Sequence, residues 1–281
     1  MENNMDLLVD VFRANSPFFI MGPCAIEGEE IALRHAKFIK ELQDKHHIQV
    51  WYKSCFNKAC RTDPSSFRGV GVDEGVRILK LIKEKYGLKV TSDLYTMEEL
   101  EKCKGVVDLI QIPVVMFKET NFIEAIARLN IDMSVKKGKD AALKDVIGFV
   151  EKVKRAGHTA KLILIERGNS FGYENLVVDY RNIILLNSLK KKYDNILTCI
   201  DASHSAMSGV IAPTSEIVRL GARLGIVAGV DGVFVEAHEN PKVALCDGKT
   251  SLYLNELSSL IESCQYLKME NLSLQCLRQQ L

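Results

Sequence analysis

Residues 161–168 read KLILIERG: a lysine, four branched apolar residues, a carboxylate, Arg167 and a glycine. A short apolar run closed by polar residues and glycine is the pattern of a buried strand, and this one stops on a side chain that can do chemistry. The same pattern recurs on both sides of it. Upstream lie FFIMGPC (18–24), VWYKSC (50–55), LKVTSD (88–93), VVDLIQIP (106–113) and IDMSVKK (131–137); downstream lie ILTCIDASH (196–204) and GVFVEAH (232–238). Their polar ends are Cys24, Lys53, Asp93, Gln111, Lys136 with Lys137, His204 and Glu236. Helical periodicity fills the intervals. Strands alternating with single helices in this way predict an α/β fold, a (β/α)8 TIM barrel, whose active site forms at the C-terminal ends of the strands. A doubly wound open sheet is the alternative. The GVGVDEG stretch (69–75) does not support a dinucleotide site there, because no strand ends just before it and GxGxxG is absent.

The 281 residues suit one barrel domain spanning the chain, 1–281, with a short N-terminal extension and the barrel over about 17–270. Apolar residues make up 47% and charged residues 26%, enough for a large core. A net charge of +1 argues against nucleic acid or a membrane surface as a partner recruited by bulk charge. No apolar stretch reaches the roughly 18 residues of a membrane span, and MENNMDLLVD lacks the basic start and apolar run of a signal peptide. A cytoplasmic location is expected. The eight cysteines are scattered with no CxxC pair, as expected of reduced core thiols. Any metal would be held by residues far apart in sequence.

Two loops are long and polar for simple strand–helix turns, NKACRTDPSSFRGVG (57–71) and NSFGYENLVVDY (169–180). Asp73 is expected to cap the helix that stops at Tyr86-Gly87, and Thr96 with Glu99 forms a capping-box pattern. His35, His46, His47 and His158 fall in helices or at helix ends and read as surface residues. His238 follows Glu236 by two and shares its face of an extended strand.

Lys53, Lys58, Arg61, Arg68, Lys136, Lys137 and Arg167 all lie at strand ends or just beyond them. One such lysine is ordinarily a solvated loop residue. Seven on one rim of a near-neutral protein imply an anionic ligand, phosphate or carboxylate, to whose oxygens Arg offers a planar fork. Cys24, His204, Glu236 and Asp247 provide a thiol, an imidazole and two carboxylates, a donor set for a divalent transition metal. Each also has an ordinary reading: core thiol, acid–base histidine, ion-pair partner. Spacing alone does not link them.

GPCAIEG (22–28), YKSCFNKACRT (52–62), SFRGVG (66–71), IQIP, VKKG, ERGNSFGYENLVVD (166–179), DASHS and VEAH followed by CDG stand in an order that resembles the 3-deoxy-D-manno-octulosonate 8-phosphate (Kdo-8-phosphate) synthases. The resemblance covers about residues 17–262. It implies condensation of phosphoenolpyruvate with D-arabinose 5-phosphate and water, with loss of phosphate, for lipopolysaccharide biosynthesis. It further implies that Lys136 and Arg167 bind the phosphate of phosphoenolpyruvate and Lys58 its carboxylate, with Gln111 near. Lys53 and Asp93 would contact the sugar's hydroxyls and aldehyde, and Arg61 with Thr62 its phosphate. Lys53, His204 and Asp247 form the implied catalytic set. Cys24, where metal-independent members have Asn, implies the metal-dependent branch, with Cys24, His204, Glu236 and Asp247 as ligands of one divalent transition metal. A homotetramer is implied too. The chain departs from the family pattern at KACRT (usually KANRS), at Cys55 and Asn57, at Gly138-Lys139-Asp140 (usually PQF) and in a shorter loop after His204. Cys246 is more typical of the metal-independent branch. The departures gather on the aldose side, so the same chemistry on a different aldose phosphate is the alternative.

Overall fold

The computed structural model describes residues 16–173, 175–208 and 213–279, with side chains to residue 273. The expected N-terminal extension and the middle of the loop after His204 fall largely outside these residues. Among the described residues, parallel strands β1 (Phe18–Gly22), β2 (Val50–Lys53), β3 (Lys89–Asp93), β4 (Leu109–Ile112), β5 (Met133–Lys136) and β6 (Leu162–Glu166) pair in chain order. The 169–180 loop folds into an antiparallel hairpin, β7 (Asn169–Phe171) and β8 (Asn175–Val177). Strands β9 (Ile196–Asp201) and β10 (Gly232–His238) follow, and β10 pairs back on β1, with Phe18 opposite Gly232 and Gly22 opposite Glu236. That pairing closes the eight-stranded barrel expected from the sequence. A short β11 (Leu252–Tyr253) extends β10 beyond the closure.

The helices are α1 (Glu29–His46), α2 (Val72–Tyr86), α3 (Met97–Cys103), α4 (Thr120–Arg128), α5 (Leu143–Arg155), α6 (Arg181–Ser188), α7 (Ala202–Ser205), α8 (Ser215–Ala228) and α9 (Leu257–Gln279). Strand side chains alternate between two cores. Outward residues such as Phe19, Met21, Val50, Tyr52, Val90, Leu162, Leu164 and Val233 meet the helices' Ala32, Ala36, Ile39, Ile78 and Ile82. Inward residues Phe18, Ile20, Trp51, Leu109, Ile163, Ile165, Cys199 and Phe234 fill the barrel itself. The apolar plug matters for function, because the next inward residue on each strand stands on top of it.

Some local expectations hold and others do not. Thr96 accepts from Glu99 N at 3.1 Å while the Glu99 carboxylate takes Thr96 N, the reciprocal capping box. The α2 cap is Gly71 rather than Asp73: the 57–71 loop folds back on β2, with Gly71 N on Phe56 O at 2.9 Å, and starts the helix early. His47 is exposed as expected, but His35, His46 and His158 are buried. His35 lies on the inner stripe of α1 between Ala32 and Ile39, and its ring meets that of His238 edge-on at 4.7 Å. His158 places both ring nitrogens 3.3 Å from backbone carbonyls, and His46 bonds Ser258 Oγ at 2.9 Å.

Candidate active site

Period-two alternation builds the site. Two residues beyond the inward Trp51, Leu109, Ile165, Cys199 and Phe234 come Lys53, Gln111, Arg167, Asp201 and Glu236; Asp93 and Lys136 end β3 and β5. All seven are buried. Gly22 supplies the missing side chain on β1, where a Cβ would lie 2.2 Å from Lys53 O, so β1 and β2 close tightly just below Cys24.

The buried charges are interlocked. Lys53 Nζ lies 3.1 Å from Glu236 Oε1 and 3.0 Å from Cys24 O. Lys58 Nζ sits between Asp93 and Asp247, at 3.8 and 3.9 Å. Lys136 Nζ lies 2.9 Å from Asp201 Oδ2 and 3.6 Å from the centre of the Phe234 ring. Gln111 donates to Asp93 Oδ1, and the Cys55 thiol donates to Asp93 Oδ2 at 3.1 Å. Burial by itself raises a carboxyl's pKa, but here neighbouring cations outweigh it. Lys53, Lys58 and Lys136 hold Asp93 below the carboxylate range. Lys53, His204 and Lys58 depress Glu236, and Lys58 with His204 depresses Asp247. Burial works against Lys53 and Lys58 as well, yet the neighbouring anionic groups, the Glu236 carboxylate beside both and the Asp93 carboxylate beside Lys58 among them, keep both protonated.

Arg167 differs. Its side chain is 7% exposed overall, and Nε has no hydrogen-bond partner among the described residues. A buried, unsatisfied guanidinium N–H is costly unless an anion completes it.

Cys24, His204, Glu236 and Asp247 also converge. Donor atoms of His204, Glu236 and Asp247 lie within 4.8 Å of one another, and Cys24 Sγ lies 3.0 Å from Asp247 Oδ2. Glu236 Oε2 is buried without a partner. The set therefore fits a divalent transition metal: a sulfur, an imidazole and two carboxylates, with one carboxylate oxygen left over. Burial, hydrogen bonding to Cys246 and the charge of Glu236 hold the Cys24 thiol well above its ordinary range when no cation is present.

The 57–71 loop is looser. Arg61 is partly exposed and pairs with Asp247 Oδ1 at 2.6 Å, while Thr62 and Arg68 are exposed. Asn57 donates to Glu99 Oε1 at 2.7 Å, and Cys60 Sγ lies 3.4 Å from Tyr95 Oη. Two of the seven expected cations do not face the mouth. Among the described residues the Arg68 guanidinium bonds Asn57 Oδ1, at 3.4 Å, and Lys137, one residue off the inward register of Lys136, ties the β7 hairpin through Asn169 Oδ1 at 2.7 Å. His238 leaves the site as well, accepting from Asn240 N at 2.9 Å and facing Glu27 at 3.5 Å.

Asp201 is the residue that the motif reading missed. It caps α7 by accepting from His204 N at 2.9 Å, takes Lys136, and lies 2.9 Å from His204 Nδ1. His204, Lys136 and Arg167 outweigh its burial and keep it ionised, and its contact with Nδ1 orients the imidazole so that Nε2 turns to the donor cluster, 3.9 Å from Asp247 Oδ2. The signal was present in the sequence: Asp201 is two residues beyond Cys199, on the inward face.

A (β/α)8 barrel with buried lysines and an unsatisfied arginine at its C-terminal mouth, beside a thiol–imidazole–carboxylate cluster, defines an enzyme for small anionic substrates. The chain belongs to the DAHP synthetase I family, whose family model matches residues 12–272. A 2-dehydro-3-deoxyphosphooctonate aldolase of Trichlorobacter lovleyi is 39% identical over 253 residues, 88% of this chain and 91% of that protein. The Burkholderia multivorans protein of the same name is 36% identical over 260 residues, 89% and 90% of the two chains. That of Geobacter sulfurreducens is 35% identical over 248 residues, 86% and 89%.

Proposed function

We infer that this enzyme condenses phosphoenolpyruvate with D-arabinose 5-phosphate and water, giving 3-deoxy-D-manno-octulosonate 8-phosphate and inorganic phosphate for lipopolysaccharide biosynthesis. It is a transferase that forms a C–C bond. C3 of phosphoenolpyruvate bonds to the aldehyde carbon of the sugar, a water oxygen adds to C2, and the C2–O bond to phosphate then breaks. The unsatisfied, buried Arg167 beside Lys136 carries the reading, because this pair can take the phosphate that must be held and then released.

Lys58 takes the carboxylate of phosphoenolpyruvate, with Gln111 alongside. Lys53 stays an ammonium ion, so it acts as a fixed positive charge where the aldehyde oxygen becomes an alkoxide, not as a base. Asp93 stays a carboxylate and accepts from sugar hydroxyls. Arg61 and Thr62 meet the sugar phosphate from the rim, where Arg61 must loosen its pairing with Asp247. His204, oriented by Asp201 through Nδ1, presents Nε2 to the carboxylate cluster. Cys24, His204, Glu236 and Asp247 would hold one divalent transition metal, which when bound supplies Lewis acidity and a fixed point for orienting the aldehyde. Lys53, His204 and Asp247 are thus the catalytic set. We place the enzyme in the cytoplasm as a homotetramer. Among the described residues no helix is long and apolar enough to cross a membrane. The exposed stripe Leu220, Leu224 and Val227 on α8 supports an interface between copies.

Phosphate release from phosphoenolpyruvate, with and without chelation and metal add-back, tests the reading. Activity with arabinose 5-phosphate that vanishes on chelation and returns with a divalent metal is expected. Activity surviving chelation would remove the metal from catalysis. Better turnover with another four- or five-carbon aldose phosphate would favour the second reading, which the separate Asn57–Glu99 and Cys60–Tyr95 contacts of the aldose loop motivate.

A further inference from the structure

Beside the four donors lies a second sulfur. Cys246 is 3% exposed and its Sγ sits 2.7 Å from Cys24 Sγ. The donor atoms of Cys24, Cys246 and Asp247 fall within 4.8 Å of one another, as do those of His204, Glu236 and Asp247. Asp247 belongs to both groups, so the sulfur pair and the imidazole–carboxylate group adjoin a common carboxylate.

Consecutive residues of an extended chain point to opposite sides, so Cys246 and Asp247 should not both reach one point. They do so because Asp247 has φ 47° and ψ 31°, in the left-handed region. A non-glycine residue held there costs on the order of 1–2 kcal/mol. The surroundings enforce the turn. Leu245 N donates to Glu27 Oε1 at 2.8 Å, and at Gly248 a Cβ would lie 2.2 Å from Pro241 O. The backbone is strained at the one place that aims two adjacent side chains at the cluster.

We propose that Cys246 is a second thiolate ligand, making the centre a two-sulfur site that selects a borderline-soft ion of the zinc type over harder ions such as Mn²⁺ or Mg²⁺. The proposal rests on the reading that a metal occupies this cluster. Two thiolates each ~2.3 Å from one ion would stand roughly 3.3–3.9 Å apart, so an ion entering between the sulfurs would relieve their crowding by about 1 Å of opening. Each thiol gives its proton to solvent as its bond to the metal forms.

The test uses the reduced, full-length, metal-free protein titrated with Co²⁺, Zn²⁺ and Mn²⁺ separately. The near-ultraviolet sulfur-to-cobalt charge-transfer band of Cys246→Ser should have about half the wild-type intensity. Its zinc affinity against a chromogenic chelator should fall by about 10- to 100-fold, with Mn²⁺ affinity changed by about threefold or less. X-ray absorption on zinc-loaded wild type should count two sulfurs per zinc at ~2.3 Å, a readout that does not depend on the variant folding. One sulfur per zinc, or an undiminished cobalt band in the variant, overturns the proposal and leaves the four-donor site intact. Failure of the wild type to bind either Co²⁺ or Zn²⁺ overturns both.

Discussion

The inward ends of the strands and the 57–71 loop carry similar side chains in opposite conditions. Lys53, Gln111 and Glu236 are fully buried on strands whose neighbours are hydrogen-bonded on both sides, whereas Arg61 keeps 27% of its side chain exposed and Thr62 and Arg68 lie open. The strand ends hold several charges in a water-poor mouth, an arrangement that is seldom worth its desolvation for stability alone. A site on strands fixes positions; a site on a loop can vary. The departures from the family pattern at Asn57 and Cys60 fall on the loop, while Lys136, Arg167 and Gln111 stand on strands or at their ends.

The sharpest break of this contrast is Arg167→Ala. Two charge-assisted hydrogen bonds to a buried phosphate predict a fall of about 10³-fold in kcat/KM for phosphoenolpyruvate, roughly 4 kcal/mol. Steady-state kinetics with each substrate varied in turn should place the loss on phosphoenolpyruvate and not on the aldose.

Stability should divide the same way. Glu236→Leu strands the Lys53 ammonium in the barrel and should cost about 3–5 kcal/mol by urea unfolding. Arg61→Ala, at the rim, should change stability by no more than about 0.5 kcal/mol. Equal losses would mean that the mouth is no more coupled than the loop.

A pH series separates the mouth from a buried group behind it. The Asp93, Glu236 and Asp247 carboxyls are depressed, so their contribution is present above the ordinary carboxylate range and is lost only as pH falls through lower folded values. His35 behaves differently: burial first, then His238 and Arg34, bring it down to about 4 against an opposing Glu239. The unfolded chain takes up that proton below about 6.5, so stability should fall by about 2 kcal/mol between pH 7 and 5. His35→Gln should flatten that slope; an unchanged slope would put the proton elsewhere.

The smallest expected effect on activity belongs to the loop. Arg61→Ala should lower kcat/KM for the aldose phosphate by about tenfold, one partly exposed charge contact. A loss as large as that of Arg167→Ala would erase the distinction between strand and loop.

The strand order and the inward parity of Lys53, Gln111, Arg167 and Glu236 were legible because strand alternation is local: each is announced by an apolar residue two positions earlier, whereas Asp93 and Lys136 follow Thr91 and Ser134 and were marked only as the polar ends of their strands. Asp201 obeyed the same rule but was hidden beside the more conspicuous His204. The burial of His35 was also written in sequence, in the i, i+3, i+4 and i+7 stripe of Ala32, His35, Ala36 and Ile39.

By itself, then, the sequence determined which residues face the barrel axis and in what order they meet around it. Tertiary structure decided what meets across the mouth. Cys24 and Cys246 come together over 222 positions of chain, which local periodicity does not encode. Adjacent Cys246 and Asp247 reach one point only because the closed barrel and the Glu27 and Pro241 contacts hold Asp247 in a left-handed turn that extended chain disfavours.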